Sequence, residues 1–192
     1  MANLPPGTHV LSEGHLPSIR DDFSRRVQNQ PDGDRLGATR KELADIAYGP
    51  TKIPLFNFLL QLTILNPPAR TSYLEISRFL ALEACVPVDS TDLSGTTAFM
   101  HSISTKPYWD PEFAGIMLKA GAEINRRNRY GCVAAHDIVM ARDYSTAGQR
   151  KTVEALKWFV ENGGDLDIKC GDGVSPRKMG IVPGRWGCRF RG

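Results

Sequence analysis

Cys132 and His136 stand four residues apart, a spacing that puts two side chains on one helix face and lets a thiolate and an imidazole share one metal ion. A closed structural zinc site takes four such donors. The other cysteines, Cys85, Cys170 and Cys188, are scattered without a C-x-x-C pair, so two ligands are left and no metal is expected. Cysteines placed this way read as small, partly buried apolar groups. Carboxylates recur in pairs, Asp89 with Asp92 and Asp165 with Asp167. Two carboxylates can divide acid and base work, but these lie among turn-forming residues, where an Asp side chain accepts from nearby backbone N–H groups. The G-x-S-x-G, P-loop, G-x-G-x-x-G and H-E-x-x-H patterns do not occur. The sequence predicts no enzyme, no metal and no cofactor.

Residues suited to contact rather than catalysis are plainer. Arg126, Arg127, Arg129 and Tyr130 crowd one short polar stretch, and rigid multi-donor guanidiniums beside a tyrosine are what protein interfaces favour. The alternative is a solvated charge run. Asp89 and Asp92, in the corresponding upstream stretch, either neutralise that group or extend its surface. Tyr108 and Trp109 lie in the loop Lys106–Pro111, KPYWDP, and either fold back over the helices or anchor a partner. The tail Gly184–Gly192, GRWGCRFRG, interleaves arginine with aromatics, a composition that binds RNA or acidic surfaces, although a disordered end is the ordinary state of such a tail.

Positioning these residues requires a repeated frame. In Ala120–Gly131, AGAEINRRNRYG, an amphipathic helix ends at Gly121, Asn125 and Asn128 supply turn chemistry, and Gly131 reverses the chain into the next helical run. The order recurs upstream as Cys85, Asp89, Asp92 and Gly95, and downstream as Gly163, Asp167, Cys170 and Gly173. From helix end to next helix start is 12 residues each time: Cys85 to Thr97, Gly121 to Val133, Gly163 to Ser175. The longer spacings vary, with 44 from Ile53 to Thr97, 36 from Thr97 to Val133 and 42 from Val133 to Ser175. A fixed connector with a variable remainder places the insertions between the two helices of each unit.

These residues resemble the ankyrin repeat, a β-turn plus two helices with a T-P-L-H-x-A start. The starts here are Ile53-Pro54-Leu55-Phe56, Thr97-Ala98-Phe99-Met100, Val133-Ala134-Ala135-His136 and Ser175-Pro176-Arg177-Lys178, and the likeness covers Ile53 to Met179. The stretch Gly171–Met179, GDGVSPRKM, is also similar to ankyrin proteins that carry a MYND zinc finger, whose pattern this chain lacks. The resemblance implies an all-α helical solenoid of about three degenerate repeats with β-turn fingers. It assigns His136 a hydrogen bond to turn backbone, and makes the fingers and inner helices a partner-binding surface. His101 falls one place past the corresponding position. The expected function is a protein-interaction scaffold; the alternative is a binder of nucleic acid or an acidic ligand through Arg126, Arg127, Arg129 and the basic tail.

The remaining segments complete the expected organisation: a flexible arm over 1–16, a helical N-terminal cap over 17–52, repeats over 53–180 and a basic tail over 181–192. Ile19, Phe23 and Val27 make one helical stripe after Pro17, and Thr39 with Glu42 reads as a capping box before a second helix. A register starting a degenerate repeat at Gly37-Ala38-Thr39 is left open. A polar insert spans Arg142–Gln149, ahead of a helix over Arg150–Asn162. Gly180, Pro183, Gly184 and Gly187 leave no room for a last partner helix. The apolar residues Trp158, Phe159 and Val160 are therefore expected to be covered by Ile181, Val182, Trp186 and Phe190, or by self-association. At 192 residues, 41% apolar and 23% charged, the chain suits one globular domain. Its net charge of +3 combines +5 from Lys169 onward with −2 before it, which is not the footprint of a nucleic-acid-binding domain. The first residues lack an apolar signal core and the longest apolar run, Ile53–Leu65, is too short to span a bilayer, so a cytoplasmic or nuclear protein is expected.

Overall fold

The computed structural model describes residues 11, 13–141 and 143–180. These residues are mostly helical, with one two-stranded antiparallel sheet. The tail over 181–192 and most of the arm over 1–16 lie outside the described residues.

Helix α1, Leu16–Asn29, carries Pro17 in its first turn and buries Ile19. Helix α2, Arg35–Asp45, starts from Asp34, whose carboxylate accepts from Gly37 N–H at 2.9 Å. The cap expected at Thr39 is thus five residues late: Thr39 is wholly buried inside the helix and donates to Arg35 O. Glu42 instead meets Arg26 of α1 and Gln30 just after that helix. The region 17–52 is not all helix, because β1, Ala47–Tyr48, pairs with β2, Ile53–Pro54, in a small hairpin.

Helix α3, Leu55–Leu65, is buried nearly all round, as its composition demands. Asn66 and the prolines after it end the run, and α4, Arg70–Arg78, packs back on α3. The helix continues through a π turn, Phe79–Glu83, to Cys85 at φ 55°. Helices α5, Ala98–Ser102, and α6, Pro111–Lys119, make the next packed pair. Helices α7, Ala134–Met140, and α8, Thr146–Glu161, make another, and α9, Pro176–Gly180, packs on α7. First members pack in order, α3 on α5 and α5 on α7, while α4 packs on α6 and α1 covers α4. The apolar side chains between them form the core, with Phe99, Phe113, Met117 and Phe159 fully enclosed.

The left-handed helix ends expected from sequence are there: Cys85, Gly121 and Gly163 have φ of 55°, 94° and 92°. Each lies 12 residues before Thr97, Val133 or Ser175. One detail differs from expectation. Helix α8 begins at Thr146, four residues before Arg150, because the Ser145 hydroxyl caps it by accepting from Gly148 N–H at 3.0 Å. The second half of the polar insert is therefore helix, not loop. Phe159 is wholly buried and Trp158 packs 6.3 Å from Phe99, so among Trp158, Phe159 and Val160 only Val160, 45% accessible, faces out. No helix among the described residues is long and apolar enough to cross a membrane.

Candidate functional site

Four loops precede the four helices α3, α5, α7 and α9, at 49–52, 92–95, 128–131 and 170–173. In the last three, the N–H of Asp92, Asn128 or Cys170 donates to the carbonyl four residues on, at 3.1, 2.9 and 3.0 Å. Gly95, Gly131 and Gly173 donate back to the first residue's carbonyl. In the first loop Lys52 does so, to Gly49, and takes a φ of 50° where the others have glycine. Asp92 and Asn128 do the same work with different side chains. Asp92 Oδ1 accepts from the N–H groups of Ser94 and Thr96, and Asn128 Oδ1 from those of Tyr130 and Cys132.

The second, third and fourth loops are joined directly. Arg129 N–H donates to Ser94 O at 3.0 Å, and Gly171 N–H donates to Tyr130 O at 2.8 Å. This closeness, as well as a φ of 77°, requires glycine at position 95, where a Cβ would lie 2.8 Å from Arg129 N. No corresponding bond joins the first and second loops. A cavity of about 350 Å³ opens there instead, with Thr51 and Ile53 on one side and Asp92, Leu93 and Ser94 on the other. Asn57, Leu60, His101 and Tyr108 also line it.

Beneath the loops, side chains at the third helical position tie one loop to the next. His136 Nδ1 accepts from Val133 N–H at 3.1 Å, which puts the ring proton on Nε2, and Nε2 donates to Val174 O at 3.1 Å. Asn57, at the same position of α3, reaches Thr96 O with Nδ2 at 3.5 Å, while its Oδ1 is buried without a partner. The cause is local. The helix start is Pro54, one residue later than the Ile53-Pro54-Leu55-Phe56 reading, and proline has no N–H to give Asn57 what Val133 gives His136.

The expected contact residues are not one patch. Arg129 and Tyr130 are exposed, Tyr130 by 63%. Arg127 donates to Lys169 O, and Arg126 lies 3.9 Å from both Asp89 and Glu123. Asp89 faces that group and also accepts from Glu123 N–H at 3.2 Å. Asp92 is mainly a loop-forming residue, and its Oδ2 meets His101 Nε2 at 2.8 Å. Burial alone would raise the Asp92 pKa, but hydrogen bonds from Ser94, His101 and Thr96 outweigh it and hold the carboxyl below its ordinary value. Tyr108 packs edge-on to His101, with ring centres 6.5 Å apart, beside the cavity. Trp109 packs against the core on a separate groove, lined also by Ile64, Pro67 and Arg70.

Two features escaped the sequence reading. Asp137, on α7, is the counterpart of His101 on α5, since each is the fourth residue of its helix. Burial raises its pKa, and it has neither a hydrogen bond nor an ion pair among the described residues. Cys170 joins Cys132 and His136, all three donor atoms falling within 4.8 Å of one another. Three donors would interest a thiophilic metal, but both nitrogens of His136 are already committed to backbone groups. Burial, followed by the neighbouring Cys170 and Asp137, pushes the Cys132 thiol up to about 11, which suits a packed thiol rather than a thiolate. No protein-family model matches the sequence, and no curated protein matches it.

Proposed function

We propose that this chain is an ankyrin-type stack of about three units behind its N-terminal helices, working as a protein-interaction module without catalytic activity or a cofactor. The observation that supports this reading best is the loop ladder: Arg129 N–H on Ser94 O and Gly171 N–H on Tyr130 O, with His136 clasping the next loop from below. Loops with the same backbone hydrogen bonds, joined in register, hold their projecting side chains on a rigid base, so those side chains vary without disturbing the core. Rigid projection is what an interface needs, because little ordering entropy is then spent on binding. Arg129 and Tyr130 are exposed and their side chains make no hydrogen bond or ion pair among the described residues, and they are the contact residues under this reading.

Capture from native extract by the intact protein tests it. The Arg129→Ala/Tyr130→Ala variant should keep its melting temperature and lose the captured partner. Unaltered capture by that variant, or a partner released steeply by salt as phosphate contacts are, would count against the reading.

A further inference from the structure

We propose that the opening between the first and second loops seats an extended segment of a partner polypeptide that carries a lysine or arginine. The inference rests on the interaction-module reading above and deepens it. The loop ladder defines where main-chain bonds belong: the second residue of one loop donates to the third residue of the loop before it. At the first junction those groups are Leu93 N–H and Thr51 C=O. Both residues line the cavity of about 350 Å³, and neither group has a hydrogen bond among the described residues. The unused donor and acceptor match the two faces of one peptide group, so an extended chain can satisfy both, as it does when it joins a sheet edge. Ile53, Leu60 and the exposed Leu93 supply apolar wall for a side chain beside it.

Charge selects the partner. Asp92 is ionised and held against His101, so a second anion would meet repulsion there. Asp137 follows His101 on the next packed helix, interacts electrostatically with the His101 and His136 rings, and makes no hydrogen bond or ion pair among the described residues. A cationic side chain extending along these helices from the cavity gives Asp137 its missing partner, and a charge-assisted hydrogen bond to a half-buried carboxylate outweighs a solvent-exposed one.

The test selects a phage-displayed random peptide library on the full chain. Recovered peptides should be rich in lysine or arginine next to aliphatic residues, and should shift the amide resonances of Leu93, Ile53 and Asp137. Asp137→Asn should weaken them about tenfold, the scale of one lost charge-assisted contact. Leu93→Pro removes the N–H and shortens the side chain in a loop whose first-loop counterpart, Pro50, is already proline; it should weaken binding several-fold more than Leu93→Ala, which shortens the side chain and keeps the N–H. Acidic peptides, shifts confined elsewhere, or affinities untouched by Asp137→Asn would overturn the proposal. Partner capture that is lost with Arg129→Ala/Tyr130→Ala but indifferent to Leu93→Pro and Asp137→Asn would overturn it alone and leave the interaction-module reading standing.

Discussion

His136 and Val174 are joined across two loops: the imidazole Nε2–H donates to the Val174 carbonyl at 3.1 Å, 38 residues along the chain. Since the other nitrogen accepts from Val133 N–H, one side chain closes the start of its own helix and holds the next loop against it. Replacing it with an apolar side chain leaves the Val133 N–H unpaired, while the Val174 carbonyl keeps its bond from Cys170 N–H. His136→Leu should therefore cost about 2 kcal/mol of unfolding free energy, because the stranded buried N–H carries its own desolvation penalty. A urea midpoint within error of the parent would refute the clasp.

Asn57 is the same clasp with one arm missing, for want of a proline N–H. Pro54→Ser restores a donor to Asn57 Oδ1 and adds a capping hydroxyl. The change should stabilise the parent by about 1 kcal/mol more than it stabilises Asn57→Leu, where no acceptor remains to be satisfied. A double-mutant cycle reads the difference directly; a coupling of zero would mean that the orphaned oxygen has another cause.

Cys85 ends its helix at φ 55°, where Gly121 and Gly163 end theirs. A side chain costs energy in that region, on the order of 1 kcal/mol. Cys85→Gly should raise stability by about that amount, since the exposed thiol makes only long contacts, 3.7 Å, to Leu82 and Glu83 carbonyls. Loss of stability in thermal melts would show that the thiol packs.

Asp92 makes stability depend on acid. Its folded-state pKa is depressed, so the stabilisation is present above the ordinary carboxylate range and disappears as pH falls through the lowered value. Asn128 shows that an amide fits the same loop position. Asp92→Asn should thus fold normally, be less stable than the parent at neutral pH, and converge with it as pH falls through the lowered Asp92 value. A stability gap that is constant with pH would assign the effect to packing rather than charge.

The Ser145 hydroxyl starts α8 inside the polar insert. Ser145→Ala should cost about 1 kcal/mol, and deletion of 142–149 more than that, because Gly148 is buried in the first turn. If both changes prove neutral in chemical unfolding, the first turn of this helix is not docked.

The helical segments, their left-handed ends and the polar loops between them were legible in the sequence, because each depends on neighbours a few residues away. Apolar spacing places α1 and α3, Asn66-Pro67-Pro68 stops α3, and Gly121 and Gly163 take a backbone conformation few other residues tolerate. The late start expected for α2 and α8 had the same local origin. Asp34 and Ser145 cap earlier than the apolar pattern suggests, since a cap needs only one side-chain oxygen and leaves no periodicity behind. What joins the loops was not legible. The approach of Cys170 to Cys132 and His136 and the separation of Thr51 from Leu93 each depend on where packed helices bring distant backbone. Only the tertiary structure decided that the third and fourth loops bond while the first and second stand apart, because the core sets the distance between loops and sequence spacing does not.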